Sequence, residues 1–180
     1  MSGLREYLVD KKAAVAAARQ QVEQENSAPR RIEATVRAEG RSGVRRTQIR
    51  GHEFLTDSSR ELGGFDLGPS PVETLLGALG GCLAHTIIIQ AATRDIPLDA
   101  LEVSVGAVSD PGTNQPRDIT YQVRITSPEN QEKVERLVAA AESVCPITSL
   151  LVNPQRVSGS VVVATPTGDA ILATANGRAS

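Results

Sequence analysis

Hydrophobic and polar residues alternate through several short stretches of this chain and fall into helical steps in others. Residues 31–39 set Ile32, Ala34, Val36 and Ala38 between Arg31, Glu33, Thr35, Arg37 and Glu39. A period of two predicts a half-buried strand. Gly40-Arg41-Ser42-Gly43 reads as a hairpin turn. Residues 44–50 and 52–57 read as further strands, with Gly51 a bulge or bend between them. Leu101, Val103, Val105 and Ala107 alternate again, and residues 119–125 and 157–163 complete the strands. Over residues 4–25 the apolar positions Leu4, Leu8, Val15, Ala18 and Val22 form a helical stripe that Lys11 interrupts, and Ser27-Ala-Pro29 ends it. Ser127-Pro128-Glu129 opens an amphipathic helix carrying Val134, Leu137, Val138 and Ala141.

The longest apolar run follows a Gly/Pro-rich loop from Leu62 to Pro71. Ser70-Pro71-Val72-Glu73 is a capping box with proline at the first helical position. The helix it opens runs to about Arg94, ahead of Ile96-Pro97. Its length raises the question of a membrane span. His85, Gln90, the flanking Glu73, Arg94 and Asp95, and three glycines inside it argue instead for a helix at the centre of a soluble protein.

Strands joined as hairpins beside grouped helices predict an α+β fold rather than a parallel βαβ one. The expected division is an N-terminal helical extension over 1–29, one domain over 30–164, and a small, polar, flexible tail over 165–180. Aromatic residues make up 2 % of the chain, so the core must be built from Val, Ile, Leu and Ala. The formal net charge of -2 gives no general attraction to nucleic acid or to an anionic membrane. Arg5, Glu6, Asp10, Lys11 and Lys12 interrupt any signal-peptide core, which points to the cytoplasm. There a disulfide would be transient and catalytic. No phosphate-binding loop or dinucleotide fingerprint is present.

Chemistry then falls to two cysteines. Cys82 lies inside the long apolar helix. Cys145 precedes Pro146, which places its sulfur at the start of a short helix running to about Leu151, where backbone N–H groups favour a thiolate. On position alone Cys145 is the more reactive sulfur, because burial in an apolar helix works against ionising Cys82.

The block from Gly63 to Cys82, Gly-Gly-Phe-Asp-Leu-Gly-Pro-Ser-Pro-Val-Glu-Thr-Leu-Leu-Gly-Ala-Leu-Gly-Gly-Cys, together with the later Val144-Cys-Pro-Ile147, resembles the OsmC/Ohr family. The similarity extends over roughly residues 31 to 163 on the same order of elements. It implies antiparallel sheets wrapped around long central helices in an intertwined homodimer. It also implies a thiol-dependent peroxidase for organic hydroperoxides, with Cys82 peroxidatic and Cys145 resolving. The implied reductant is an external dithiol, lipoyl-type in characterised members, and no bound cofactor is expected. The N-terminal helix lies outside the family pattern.

The family activates its first cysteine with an arginine held by a glutamate. Arg41, in the hairpin turn, matches that arginine best, with Arg45, Arg46, Arg50 and Arg60 as alternatives. The family glutamate stands ten positions before the first cysteine, where this chain has Val72; Glu73 is nine before it. A shift of one residue turns a helical side chain by about 100°. Glu73 is therefore either the displaced catalytic glutamate or only a helix cap. His85, three residues after Cys82, is a proton donor or an ordinary core histidine. Zinc bound by His52, Cys82, His85 and Cys145 lacks any familiar ligand spacing. An OsmC-fold ligand-binding or thiol-sensing protein with little peroxidase activity is the alternative to the enzyme, and an RNA-binding arginine hairpin the weakest reading.

Overall fold

In the computed structural model, residues 3–25, 28–111, 115–153, 155–164 and 170–175 are described. The centre is helix α2, Pro71–Thr93, which follows α1 (Leu4–Glu25) and the strands β1 (Thr35–Ala38), β2 (Arg45–Ile49) and β3 (His52–Thr56). After α2 come β4 (Ala100–Ser109), β5 (Pro116–Thr126), α3 (Gln131–Glu142), α4 (Pro146–Val152), β6 (Gly159–Ala164) and β7 (Ala170–Ala175). The strands form three antiparallel sheets, β1-β2-β3, β4-β5 and β6-β7. The α+β expectation holds.

Helix α2 begins as its sequence dictates. The Ser70 hydroxyl accepts from the Glu73 N–H at 3.2 Å, and the Glu73 carboxylate accepts from the Ser70 N–H at 2.7 Å. The helix is long and apolar enough to cross a membrane by composition. Here it packs against α1, α3, α4 and β4. Two clusters line it. Ile87, Ala91 and Ala92 meet Leu8, Ile96, Leu98, Leu137 and Ala141 toward its C-terminal end. Leu79 and Leu83 meet Cys145 further up, walled by Val103, Val105, Ile119 and Ile147. Leu83, Ile87 and Leu98 are almost fully buried. Each such side chain contributes about 1.5–3 kcal/mol. At Gly80 a Cβ would lie 3.1 Å from Val105 Cγ2, so the glycine lets α2 settle closely on β4.

Helix α1 docks through Leu4 and Leu8, with Arg5 paired to Asp99 and Lys12 to Asp95. Its C-terminal half is exposed.

Several expectations change. Residues 31–39 were expected as one half-buried strand, but only Thr35–Ala38 pair, and all four are exposed. β2 turns away at Arg50, which adopts a left-handed φ of 55°. Among the described residues, those before Ala34 therefore have no neighbouring strand. Of the two readings at Gly51 the bend holds and the bulge does not: Arg50 and Gly51 form a two-residue turn, with Ile49 paired to His52. Ser127 does not open α3. Asn130 caps it, its side chain accepting from the Lys133 N–H, while the Ser127 hydroxyl donates to the Pro97 carbonyl. The 165–180 segment is not wholly a loose tail, since Ala170–Ala175 forms β7 against β6. The rest of that tail, and Ser27 in the expected helix end, lie outside the described residues.

Candidate active site

Cys82 and Cys145, 63 positions apart in sequence, meet with their sulfurs 3.4 Å apart. Both are free thiols. Two adjacent elements produce this approach. Val144 and Cys145 close the last turn of α3, with the Cys145 N–H bonded to the Glu142 carbonyl at 3.2 Å. Pro146 then starts α4, which lays Cys145 against Leu79 and Leu83 of α2. The expected position of Cys145 at the head of α4 is confirmed, though its sulfur makes no capping hydrogen bond.

The two sulfurs differ in access and in charge. Cys82 is half-buried and Cys145 is 1 % exposed. Burial, together with the neighbouring Cys145 sulfur, pushes the Cys82 thiol up, against the Ile147 N–H. Burial also opposes a Cys145 thiolate. There the Thr148 hydroxyl and N–H, with Cys82 and the Ile147 N–H, outweigh it and hold the group below its ordinary value. The positional argument for Cys145 as the easier thiolate is thus reproduced by its surroundings.

Arg41 is exposed in the β1–β2 turn, and among the described residues no hydrogen bond or ion pair joins it to Cys82 or Glu73. Arg45 donates to the Gly43 carbonyl, and Arg46 pairs with Glu39 and Glu53. Arg50 and Arg60 are exposed. Within one chain, therefore, none of the candidate arginines is bonded to either sulfur. The Glu73 carboxylate is committed to the Ser70 N–H, which lowers its pKa below the usual carboxylate value. Val72, at the family glutamate position, is partly buried. His85 is exposed one turn beyond Cys82. Among the described residues, no three His, Cys, Asp or Glu side chains cluster as a metal site would require.

A groove of about 270 Å³ lies between α2 and β4, lined by Glu73, Leu76, Gly77, Gly80, Gly81, Val103 and Val105. Neither cysteine lines it.

Three residues that the sequence did not flag shape this region. Thr148 faces Cys145 from three residues on, and that spacing was the available signal. Tyr121 stands opposite Val105 in the β4–β5 register, so it shares the sheet face that walls Cys145. Its phenol is pushed up to about 12 by burial, by its bond to Glu142 and by the charges of Glu142 and Cys145. Asp57 is 2 % exposed and gathers the N–H groups of Ser58, Phe65 and Leu67. It thereby folds the loop that leads into α2. The loop is so tight that a Cβ at Gly64 would lie 1.9 Å from the Ser58 carbonyl oxygen. Nothing in the local sequence pattern marks Asp57 as a buried acceptor.

This site and fold define a class. The chain belongs to the OsmC-like protein family, whose model matches residues 64–158. Among solved structures it is similar to an OsmC-like protein from Mycoplasma pneumoniae, at 17 % identity and a TM-score of 0.63, over 70 % of this chain and 90 % of that one. It is also similar to the organic hydroperoxide resistance protein OsmC from Legionella pneumophila, at 24 % identity and a TM-score of 0.52, over 69 % and 91 %. A third is an OsmC-like protein of unknown function from Vibrio cholerae, at 15 % identity and a TM-score of 0.56, over 67 % and 93 %. These likenesses establish the shared fold. No curated protein matches the chain.

Proposed function

We propose that this chain is a thiol-dependent peroxidase for organic hydroperoxides, working in the cytoplasm and recycled by an external dithiol of lipoyl type. The observation that carries the reading is the pair of free sulfurs 3.4 Å apart, one reachable from solvent and one sealed. The Cys82 thiolate attacks the outer peroxide oxygen. An S–O bond forms, the O–O bond breaks, and the alkoxide takes a proton to leave as an alcohol. The Cys145 thiolate then attacks the Cys82 sulfenic acid. The S–S bond forms, the S–O bond breaks, and hydroxide leaves as water after gaining a proton. The dithiol reduces the disulfide by two exchanges. In this reading Leu76, Val103 and Val105, which line the groove between α2 and β4, receive the organic part of the hydroperoxide.

The working form in this proposal is a homodimer. Gly77 and Gly81 have open space where a Cβ would point, and His85 beside them is exposed. The β1–β3 sheet presents Val36, 56 % exposed, and Phe54, 39 % exposed, in one cross-strand row through Thr47. A second copy covers both surfaces and brings a cation, Arg41 in this reading, to the Cys82 thiolate. Neither nucleic acid nor a membrane enters the proposal.

The test is turnover of an alkyl hydroperoxide by the reduced full-length protein with dihydrolipoamide. The expected result is consumption of both thiols and sustained turnover, both abolished by Cys82→Ser. Thiols that stay reduced under excess hydroperoxide would contradict it. Glu73 held in its cap, with Val72 at the family glutamate position, favours a second reading: a thiol sensor, which forms the disulfide without turnover.

A further inference from the structure

The Thr148 hydroxyl oxygen is buried and has no hydrogen-bond partner among the described residues. A buried hydroxyl left unsatisfied costs about 1–3 kcal/mol, so such a group calls for a reason. The same hydroxyl is the largest favourable influence on a Cys145 thiolate. These two facts fit together through the chemistry of sulfur. A neutral thiol is a poor acceptor, whereas a thiolate is a strong one. The hydroxyl therefore lacks a partner only while Cys145 keeps its proton.

The neighbours of Cys145 leave this role to Thr148. Helix α2 presents the Cys82 thiol at 3.4 Å and, a turn further on, the exposed His85. Strand β4 presents Val103 and Val105. Strand β5 presents Tyr121, whose phenol is already bonded to Glu142, at the end of α3. The Glu142 carboxylate is engaged by that phenol. Thr148 is thus the uncommitted side-chain hydroxyl at the sulfur.

We infer that Thr148 is a positioning residue for the resolving thiol, its hydroxyl turning onto the Cys145 sulfur as that thiol ionises and holding the thiolate beside Cys82. In the resolving step it stabilises the nucleophile while the S–S bond forms, and is released when Cys145 becomes a neutral disulfide sulfur. That catalytic consequence rests on the peroxidase reading; the hydrogen bond itself does not.

The test therefore uses the full chain with Cys82→Ala, which leaves Cys145 as the only thiol and adds no competing hydroxyl. Thiolate absorbance is followed against pH. Adding Thr148→Val is expected to reduce the thiolate fraction on the acid side of the transition about tenfold, the effect of one hydrogen bond to a charged group. Thr148→Ser is expected to restore it. At a pH where Cys145 is protonated, Thr148→Val should cost no folding stability, because it removes a hydroxyl that has no partner there. An unchanged titration, failure of Ser to rescue, or a stability loss at that pH would each overturn the inference. If Val disrupts the fold, Thr148→Ala reads the same titration with the same two outcomes. Should these results fail while Cys82-dependent turnover persists, the peroxidase reading stands without Thr148. Should they succeed in a chain without turnover, the hydrogen bond stands and the peroxidase reading falls.

Discussion

Cys82 sits on a half-open face of α2, while Cys145, 3.4 Å away, is closed in between α2, β5 and the head of α4. Solvent reaches the first. Donors that favour a thiolate surround the second. Access and ionisation are thus divided between two sulfurs in the single chain. Among the chain's described residues no candidate arginine is bonded to Cys82, the more accessible sulfur. In the proposed dimer a cation from the second chain reaches Cys82; without one, the proposal makes Cys82 a slow nucleophile beside Cys145.

The largest effects come from breaking the pair. Cys145→Ser is expected to leave the first oxidation intact and to abolish the internal disulfide. Cys82 would then advance to the sulfinic acid under excess hydroperoxide, read by intact mass. If the two cysteines behave identically when exchanged for serine, the division of labour is wrong.

Next is Leu83→Ala, which opens the wall that Cys145 packs against. It is expected to cost about 3 kcal/mol of stability in denaturant unfolding, in the range for a buried leucine. It should also expose Cys145 to alkylating reagents that the parent chain resists.

The electrostatic contrast gives a subtler test. The reduced pair should lose its protons in two steps belonging to the coupled site, the first below the ordinary cysteine value and the second above it. A single step at the ordinary value would erase the contrast. Cys82→Ala should retain the lower step, and Cys145→Ala should not.

The smallest effects lie away from the sulfurs. Asp57, whose folded pKa is depressed against the opposing effect of burial by its bonds to Ser58, Leu67 and Phe65, contributes stability that is fully present above the unfolded carboxylate value of about 3.9. That stability is lost as pH falls through the lower folded value. Asp57→Asn should therefore lower the melting temperature at neutral pH and flatten the acid limb, while leaving the thiol titration unchanged. A moved titration would mean that the α2 entry loop and the sulfur pair are coupled.

Much of this was legible in the sequence where the cause is local. The capping box at Ser70 and Glu73, the Cys145-Pro146 helix start and the alternation of Leu101, Val103 and Val105 each depend on residues within a few positions of one another. The Cys82–Cys145 meeting was legible only through the family resemblance, since no local rule joins positions so far apart. The extent of β1 was not legible. Its alternation is real, but pairing stops where β2 turns at Arg50, and all four paired residues are exposed among the described residues. Thr148 and Asp57 escaped for a related reason: a lone hydroxyl or carboxylate shows its role only when burial and its neighbours are known. Glu73 shows the converse. Its local role as a cap was readable, and its carboxylate is occupied there.

The most direct measurement is mass mapping of the reduced full-length protein after one equivalent of an alkyl hydroperoxide. The expected product is a single chain two hydrogens lighter, with one peptide pair linked through Cys82 and Cys145. Unmodified thiols, or disulfides formed only between chains, would contradict the claim that these two sulfurs form one redox unit.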